Sequence, residues 1–528
     1  MAFSPSKACS THQQHHNYSS HHRKSNIRGQ IITSLHSSQS SSQTTLLDDI
    51  NTVHLQDLPI NDILNSVKES IQTKPNLLLE AAPGAGKTTI IPLLVASSSS
   101  NDDDTNETTR TFRNNKVIVV EPRRVATRSA AQRMSSLLQQ PVGQSIGYAI
   151  RGESQQSSKT QVLVMTDGVL LNMLQNDPEL RGYDTVILDE FHERGVNGDV
   201  ALALLREVQM NYRPDLKIIV MSATLLGNVN DGEMEDDDDD DSSNESVGTK
   251  LLRVLGGKEQ CNILRSDGRQ YPVIIKYAAD DRTGPFLSVL RRDTKLLVKT
   301  MADAIEDGLS GAPNRGDILA FLPGVKEIRR VVEEVKSRSA FRDVDVFPLY
   351  GTLPKSDQDD AIYKGSSARR RVIVSSPIAE ASLTIDGVTC VIDSGLQRQP
   401  KYDVNTGLPH LITVSCSKDS VIQRAGRAGR QSEGYCIRLF SETDFNKMQQ
   451  HAVPEILSTD LVPAVLLLSE WGCTSASEIL NEMSFVDSPP EDALKRAYNM
   501  LVDLGALEDY KLPNTRKRRY REQIMVKK

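Results

Sequence analysis

Two adjacent carboxylates follow a short apolar run in the stretch VILDEFHERG, residues 186–195. A buried strand that ends in Asp189 and Glu190 holds two negative charges side by side, which is electrostatically costly. The pair is favourable if a divalent cation and a phosphate lie just outside the strand end, where open α/β sheets bind their ligands. Asp189 would then hold Mg²⁺ through its water shell, and Glu190 would polarise an attacking water as general base.

A phosphate-binding loop is predicted at APGAGKTT, residues 82–89, between an apolar strand and a helix. Its glycines let backbone N–H groups close around phosphate oxygens, Lys87 adds a positive charge, and Thr88 offers a hydroxyl to Mg²⁺. The first glycine of the usual G-x-x-x-x-G-K-[ST] pattern is Ala81 here. The residues predicted to surround the phosphates are Gly84, Ala85, Gly86, Lys87, Thr88 and Thr89.

A second half-site is indicated by QRAGRAGR, residues 423–430. Arg427 and Arg430 are three residues apart and would share a helix face with each other. Guanidinium groups so placed meet either carboxylates or a phosphate, and no acid lies within the segment. We therefore favour a phosphate clamp in which Arg427 or Arg430 is an arginine finger.

The elements that must position these residues alternate between apolar strands and helices, which indicates parallel α/β sheets. A first unit has strands within 75–81, 116–124, 161–168, 184–190 and 216–224 and a helix over 126–138. A second unit has strands within 316–321, 344–351, 370–393 and 433–440. After residue 441 the strands give way to amphipathic helices over 454–472 and 489–507.

Length and composition limit the class of protein and the number of domains. A chain of 528 residues with 38% hydrophobic and 25% charged residues is typical of a soluble protein of about three domains. No apolar run reaches the roughly 18 residues that span a bilayer. The six cysteines form no C-x-x-C pair, which argues against a zinc module or a disulfide framework.

The net charge of −7 is concentrated in one insert. Residues 229–249 hold ten acids and no Lys or Arg, and removing them changes the net charge from −7 to +3. The remaining chain is mildly basic, which is compatible with nucleic-acid binding. We interpret the acidic run as a solvated insertion.

The two ends of the chain differ in composition from the rest. Residues 1–45 are rich in Ser, Gln and His and contain no acid. This composition is typical of an organelle transit peptide for a chloroplast or mitochondrion, and equally of an untargeted disordered tail. The chain ends in a basic tail over 514–528.

As an ordered set, the motifs resemble those of the DEAH-box helicases of superfamily 2, and within them the HrpB type. The resemblance covers residues 55–512 and rests on GAGKTT, EPRR, TDG, DEFHER, SAT, FLPG, SSPIAEASLTI and QRAGRAGR. It implies an α/β fold of two tandem RecA-like parallel-sheet domains followed by a small helical winged-helix and ratchet remnant. The corresponding boundaries are 1–50 for the tail, 51–275 for the first domain with its acidic insert at 228–249, 276–440 for the second domain, 441–513 for the helical remnant and 514–528 for the basic tail.

The resemblance also assigns roles around an NTP bound between the two domains. His192 would bridge to Gln423 and link cleft closure to the nucleotide state, while Ser222 and Thr224 of SAT would couple hydrolysis to the grip on nucleic acid. Asp386 would lie near the nucleotide, and the base would stack between Arg133 and Tyr363. Stacking does not read base edges, so ATP is expected to be preferred weakly over other NTPs.

A nucleic-acid track is likewise implied by the resemblance. Contacts of this kind grip phosphates and sugars without reading sequence. A strand-separating hairpin is expected over 398–414. The residues of the track are Arg123, Arg124, Thr166, Asp167, Gly168, Gly351, Thr352 and Thr384.

Two departures from the family pattern bear on activity. In SSPIAEASLTI, Pro377 stands where Asn is usual and Ala381 where Thr is usual, which removes two possible polar contacts. The helical region is also short, so the resemblance predicts a protein that hydrolyses NTP yet unwinds poorly.

The leading hypothesis is an RNA-stimulated NTPase that uses ATP and Mg²⁺, translocates 3′ to 5′ and remodels single-stranded or partly structured RNA. A DNA-directed or dual-substrate helicase and a non-catalytic RNA-binding scaffold remain alternatives. We expect a monomer without membrane attachment, and the sequence leaves room for a protein activator.

Overall fold

The computed structural model describes residues 58–82, 84–97, 115–224, 245–266, 268, 271–279, 286–312, 315–363, 369–380, 383, 385–403, 406 and 408–507. The Ser-rich N-terminal segment, most of the acidic insert and the basic tail lie outside the described residues. So do Ala381 and Thr384. Within the described ranges no helix is both long and apolar enough to cross a membrane.

The first domain is an eight-stranded sheet in the described part of the chain, with strand order β4-β3-β5-β2-β6-β7-β1-β8. All neighbouring strands are parallel except β3 and β4. Its strands are β1 (Asn76–Ala81), β2 (Val117–Glu121), β3 (Ile146–Ile150), β4 (Glu153–Gln155), β5 (Val162–Thr166), β6 (Thr185–Leu188), β7 (Lys217–Ser222) and β8 (Cys261–Ser266). Its helices are α1 (Leu64–Thr73), α2 (Lys87–Ser97), α3 (Arg124–Leu137), α4 (Asp167–Asn176), α5 (Val196–Asn211), α6 (Val247–Val254) and α7 (Gly257–Gln260).

The second domain is a six-stranded sheet, again within the described residues, with strand order β11-β12-β10-β13-β16-β9. A separate antiparallel hairpin, β14–β15, covers the segment predicted to separate strands. The strands are β9 (Val273–Tyr277), β10 (Asp317–Phe321), β11 (Val344–Leu349), β12 (Arg370–Ser375), β13 (Val388–Asp393), β14 (Leu396–Asp403), β15 (Leu408–Ser415) and β16 (Gly434–Arg438). The helices are α8 (Phe286–Arg292), α9 (Thr294–Gly311), α10 (Val325–Ser337), α11 (Lys355–Ile362) and α12 (Lys418–Gly426).

Four further α-helices follow in the part of the chain that the structure describes, and the last three pack against the first domain. They are α13 (Glu442–Asn446), α14 (Val462–Trp471), α15 (Ala476–Glu482) and α16 (Glu491–Asp503). We call residues 454–507 the C-terminal helical segment. Its apolar residues Val465 and Leu468 share one buried cluster with Leu204 and Leu205 of α5.

The predicted α/β class and the paired parallel sheets are confirmed. The predicted strands are present because each is a run of apolar residues buried on both faces, as parallel sheets between helices require. The boundary drawn at 275/276 needs correction, because it cuts through β9. That strand pairs with β16 and so belongs to the second sheet.

Candidate active site

The phosphate loop leaves β1 and runs into α2, which begins at Lys87. Gly84 and Gly86 have φ angles of 86° and 97°, in the left-handed region that favours glycine. A Cβ on Gly86 would also lie 3.0 Å from Leu58 Cδ1. Ala81, by contrast, is the last residue of β1 and is extended, so the missing first glycine of the pattern costs nothing here.

The loop shape leaves backbone N–H groups at the helix N-terminus, a favourable place for phosphate. The amides of Thr89 and Ile90 turn inward to the carbonyl of Gly86, at 3.1 and 2.9 Å. Ala85, between the two glycines of the loop, is buried. Those two amides are used inside the helix, so the loop and the first turn of α2, which we call the phosphate cradle, would offer an anion the positive end of the helix dipole and the side chain of Lys87.

The two carboxylates at the end of β6 meet this cradle. Lys87 Nζ lies 2.7 Å from Glu190 Oε1 and 3.3 Å from Asp189 Oδ1. Thr88 donates a 2.5 Å hydrogen bond from Oγ1 to Asp189 Oδ2. Lys87 and both acids are buried, so the structure brings together four residues that lie about a hundred positions apart in the chain.

The pKa values of the two acids shift in opposite directions in this cluster. Burial by itself raises the pKa of Glu190, but Lys87 and then His192 outweigh it and lower the pKa to about 2. Burial raises the pKa of Asp189 although Lys87 opposes it. For Lys87, burial acts to lower the pKa, and Asp189 and Glu190 raise it above its ordinary value. Lys87 and Glu190 are therefore both charged at neutral pH.

The donor set fits Mg²⁺ bound together with a nucleotide. Among the described residues no three His, Cys, Asp or Glu side chains form a complete metal site of their own. Mg²⁺ does not need one, because it keeps several waters and is held by one or two protein groups plus substrate phosphates. Thr88 and Asp189 would supply those groups beside the phosphate cradle.

His192 and the SAT residues lie on the other side of Glu190. His192 Nδ1 is 3.4 Å from Glu190 Oε2 and 3.2 Å from Ser222 Oγ. Ser222 Oγ in turn accepts the backbone N–H of Thr224 at 3.3 Å. The buried amide nitrogen of Gln423 has no hydrogen-bond partner among the described residues. In this structure His192 therefore contacts Ser222, and the predicted contact between His192 and Gln423 stays a prediction.

The arginines of QRAGRAGR do not share one helix face, which corrects the sequence interpretation. Helix α12 ends at Gly426, so Arg427 and Arg430 lie in the turn that follows. Arg424 is fully buried and pairs with Glu380 at 2.8 Å and Asp393 at 3.0 Å. These acids come from other segments of the chain, which the local sequence could not reveal.

Arg427 and Arg430 have a different environment from Arg424. Arg427 is held by backbone carbonyls, with Nε donating to Glu380 O at 2.7 Å and Nη1 donating to Leu383 O. Arg430 approaches the phosphate loop: a Cβ on Gly84 would be 3.7 Å from its Nε. That Nε is buried and has no hydrogen-bond partner among the described residues.

Burial acts on the pKa of both arginines. Burial lowers the pKa of Arg430 to about 10, with Glu190 and Asp386 opposing. Burial and then Arg430 lower the pKa of Arg427 well below its ordinary value. Two desolvated cations that repel each other beside a phosphate loop would be stabilised by the charge of a triphosphate.

The two residues predicted to stack on the nucleotide base, Arg133 and Tyr363, come from different domains. Tyr363 is about half exposed (49%) and donates from its hydroxyl to Gln132 Oε1 at 3.1 Å. Arg133 is the next residue of α3 and is exposed. Asp386 accepts a 2.9 Å hydrogen bond from Gln431 Nε2 and acts on the charge of Arg430.

The predicted nucleic-acid residues divide into two groups. The guanidinium of Arg123 is already paired within the protein. Its Nε lies 3.1 Å from Glu193 Oε2, and its Nη1 donates to the carbonyl of Pro377 in the second domain. Arg124 is exposed and donates to Arg151 O at 3.3 Å. Arg123 therefore links the two domains, whereas Arg124 is placed for an external contact.

The other members of the track lie at strand ends. Thr166 ends β5 and precedes α4, whose first residue Asp167 accepts the backbone N–H of Gly168 at 2.6 Å. Gly351 and Thr352 are exposed after β11. These positions share the carboxyl edges of the two sheets with the phosphate loop.

Several residues near the site were missed by sequence reasoning. Glu121 ends β2 and is fully buried with both carboxylate oxygens unpartnered among the described residues. Burial and then Asp189 raise its pKa well above the ordinary value. The signal was present, since VIVVE ends in an acid as VILDE does. Glu380 gave no local signal, because its partner Arg424 is 44 residues away, and for Arg194 the second partner, Asp487, is equally hidden from the local sequence.

Comparisons with known proteins agree with this geometry. The family model "DEAD/DEAH box helicase" matches residues 61–231, and "Helicase conserved C-terminal domain" matches residues 300–432. The ATP-dependent RNA helicase HrpB of Escherichia coli is 36% identical over 458 residues, covering 87% of this chain and 50% of that protein. The HrpA homologue of Haemophilus influenzae is 30% identical, covering 88% of this chain and 31% of its own length.

Solved structures give the same result. The crystal structure of the E. coli DEAH/RHA helicase HrpB matches with a TM-score of 0.70 at 35% identity, over 88% of this chain and 52% of that chain. The chain belongs to the DEAD/DEAH-box helicases and carries both RecA-like helicase domains. Within that family it is similar to HrpB, and it spans about half the length of the HrpB proteins that it matches.

Proposed function

We propose that this chain is an ATP-dependent RNA helicase or translocase that hydrolyses NTP in the cleft between its two RecA-like domains and moves along RNA from 3′ to 5′. The observation that carries the proposal is the position of Arg430. It reaches the phosphate loop of the first domain from the second domain. An NTPase that works by opening and closing a cleft needs a cation placed in this way.

The residues of the first domain would hold the nucleotide and its metal. Lys87 would turn from Glu190 toward the β- and γ-phosphates, with Mg²⁺ held by Thr88 and, through water, by Asp189. Mg²⁺ supplies charge neutralisation on the phosphates when bound. Once Lys87 has moved, Glu190 loses the partner that lowers its pKa most and becomes a better base for the attacking water.

The second domain would complete the site on closure. Arg430 and Arg427 would bind the charge that develops on the transferred phosphate, and Gln423 would approach His192. Arg133 and Tyr363 would stack on the base, with Asp386 near the nucleotide. Stacking is tolerant of base identity, so we propose weak preference for ATP.

RNA would cross the carboxyl edges of both sheets. Arg124, Thr166, Asp167, Gly168, Gly351, Thr352 and Thr384 would contact it, and the β14–β15 hairpin would separate strands. Helices after residue 441 would correspond to the winged helix and the start of the ratchet. RNA is favoured over DNA because the similar proteins carry the name RNA helicase.

The test measures ATP hydrolysis with and without single-stranded RNA, using Lys87→Ala and Glu190→Gln as inactive controls. We expect RNA to stimulate the wild-type rate and both variants to lose it. Hydrolysis at the level of the two variants, with RNA still bound, would favour the scaffold alternative.

Two further arms separate the remaining alternatives. Single-stranded DNA replaces RNA in the same assay, and equal stimulation would indicate a dual-substrate enzyme. Duplexes with a 3′ or a 5′ single-stranded tail test direction, and preference for the 5′ tail would contradict the proposed polarity.

A further inference from the structure

The turn that follows β6 reaches the C-terminal helical segment through Arg194. Arg194 is 4% exposed, and its guanidinium makes two parallel hydrogen bonds to Asp199 of α5, at 3.0 and 3.2 Å. The same guanidinium lies 2.7 Å from Asp487, which belongs to the C-terminal helical segment. A bidentate arginine with a second carboxylate is a rigid joint, because the planar group fixes both partners.

Backbone contacts reinforce this joint. The carbonyl of Arg194 accepts the backbone N–H of Glu455 at 3.0 Å, and the side chain of Glu455 accepts the N–H of Val196 at 3.4 Å. Both ends of the turn, Glu190 and Arg194, have positive φ angles of 49° and 47°. Non-glycine residues seldom adopt this conformation, and surrounding contacts must hold it in place. Lys87 holds one end and Asp487 helps to hold the other.

We propose that Arg194 is a positioning residue that couples the nucleotide-binding end of this turn to the C-terminal helical segment through Asp487. When Glu190 changes partner on nucleotide binding, the strained turn changes shape, and Arg194 carries the change to Asp487. The inference rests on the proposed function, since it requires nucleotide binding at Lys87 and Glu190.

The chain contains its own reporter for this coupling. Trp471 is the only tryptophan in the 528-residue sequence, and it lies at the end of α14. Its Nε1 donates a 2.7 Å hydrogen bond to Glu207 Oε2 on α5. Tryptophan emission therefore reports directly on the contact between the first domain and the C-terminal helical segment.

The experiment titrates the full chain with Mg²⁺, ADP and beryllium fluoride, which together mimic ATP without turnover. Binding is measured by calorimetry and the interface by Trp471 emission. We expect the wild type to show a saturable emission change that follows binding. Asp487→Asn should bind the mimic with affinity close to wild type and lose the emission change, and Asp487→Glu should restore it.

Lys250→Met is the matched control. Lys250 Nζ lies 2.7 Å from the other oxygen of Asp487, so this variant removes an ion pair at the same carboxylate but keeps Arg194 paired. It should retain the emission change. If Lys250→Met loses the change as fully as Asp487→Asn, the contact contributes packing alone and the inference is wrong.

The remaining outcomes separate the inference from the proposed function. An emission change of wild-type size in Asp487→Asn overturns the coupling. A wild type that binds the mimic without any emission change overturns the coupling but leaves the proposed function intact. A wild type that does not bind the mimic at all contradicts both.

Discussion

Replacing Arg430 by methionine should make the folded protein more stable and abolish NTP hydrolysis. Burial lowers the pKa of Arg430 to about 10, well below its ordinary value. A folded-state pKa below the unfolded one means that the charged group destabilises the fold at every pH below about 10, and that the penalty is relieved as the pH rises from there toward the ordinary pKa of arginine. At neutral pH the penalty is fully present.

The magnitude follows from that shift. Each unit of pKa corresponds to about 1.4 kcal/mol, which gives an upper bound of about 3 kcal/mol. Arg430 is in part accessible to solvent, so we expect about 1–2 kcal/mol after screening. Methionine keeps most of the apolar stem. A domain of this size gains about 2–4 °C in Tm per kcal/mol.

Thermal unfolding at pH 7.5 measures the gain, and hydrolysis measures the loss of function. Removing an arginine finger lowers kcat by about 10³- to 10⁵-fold. Arg424→Met is the control, since Arg424 pairs with Glu380 and Asp393. It should destabilise the protein by about 3–5 kcal/mol, the cost of breaking a buried ion pair. A fall in Tm for Arg430→Met comparable with that of Arg424→Met would refute the reasoning, because it would mean that Arg430 is a structural cation.

Three further predictions concern the same cleft. Arg123→Ala should lower the rate of hydrolysis without RNA by roughly 10- to 100-fold, because a hydrogen bond to a charged group contributes about 1.5–3 kcal/mol. Arg124→Ala should keep that rate, and the slope of the logarithm of the RNA-binding constant against the logarithm of the salt concentration should become shallower by about 1. Single-turnover hydrolysis and RNA titrations at several salt concentrations check both, and the opposite pattern would return Arg123 to the nucleic-acid track. Gly86→Ala should cost about 1–3 kcal/mol of stability and weaken nucleotide binding, because the residue has positive φ and little space for a Cβ; denaturant unfolding and calorimetry measure this, and wild-type values for both would contradict it. Glu190 has a folded pKa of about 2 against 4.5, so its ionisation stabilises the fold above about pH 4.5 and that stabilisation is lost as the pH falls toward 2. Urea unfolding measures the difference in unfolding free energy between wild type and Glu190→Gln, which should shrink as the pH falls from about 4.5 to 2. A difference that stays constant over this range would show that Lys87 does not lower the pKa of Glu190.

The strands and the two halves of the nucleotide site could be predicted because their signals are local. VILDE and NLLLE are short apolar runs followed by residues with a specific chemistry, and parallel sheets collect such strand ends at one edge. Strands β3, β4, β8 and β9 were not predicted. Glycine at 147 interrupts β3, and β8 mixes polar with apolar residues, so neither has a clean pattern.

The partners of the arginines could not be read from the sequence. Arg424 and Arg430 belong to one repeated motif, yet the first is neutralised by Glu380 and Asp393 and the second faces the phosphate loop. The difference depends on where α12 ends and on which strands lie beside it. The role of Pro377 could not be read from the sequence either. The sequence shows that proline replaces the usual asparagine and its amide side chain, but it does not show that the backbone carbonyl of Pro377 accepts a hydrogen bond from Arg123.

The turn from Glu190 to Arg194 explains why one short motif has so many consequences. Its Glu190 contacts Lys87 of the phosphate loop, and His192 contacts Ser222 of SAT. Glu193 contacts Arg123, which itself reaches the second domain, and Arg194 contacts the C-terminal helical segment. Positive φ at both ends of this five-residue turn is held by the surrounding contacts, so the loss of one contact changes the conformation that the others must hold. The nucleotide site, the second domain and the C-terminal helical segment therefore all contact this one turn, so a change in the turn on nucleotide binding would reach both the second domain and the C-terminal helical segment.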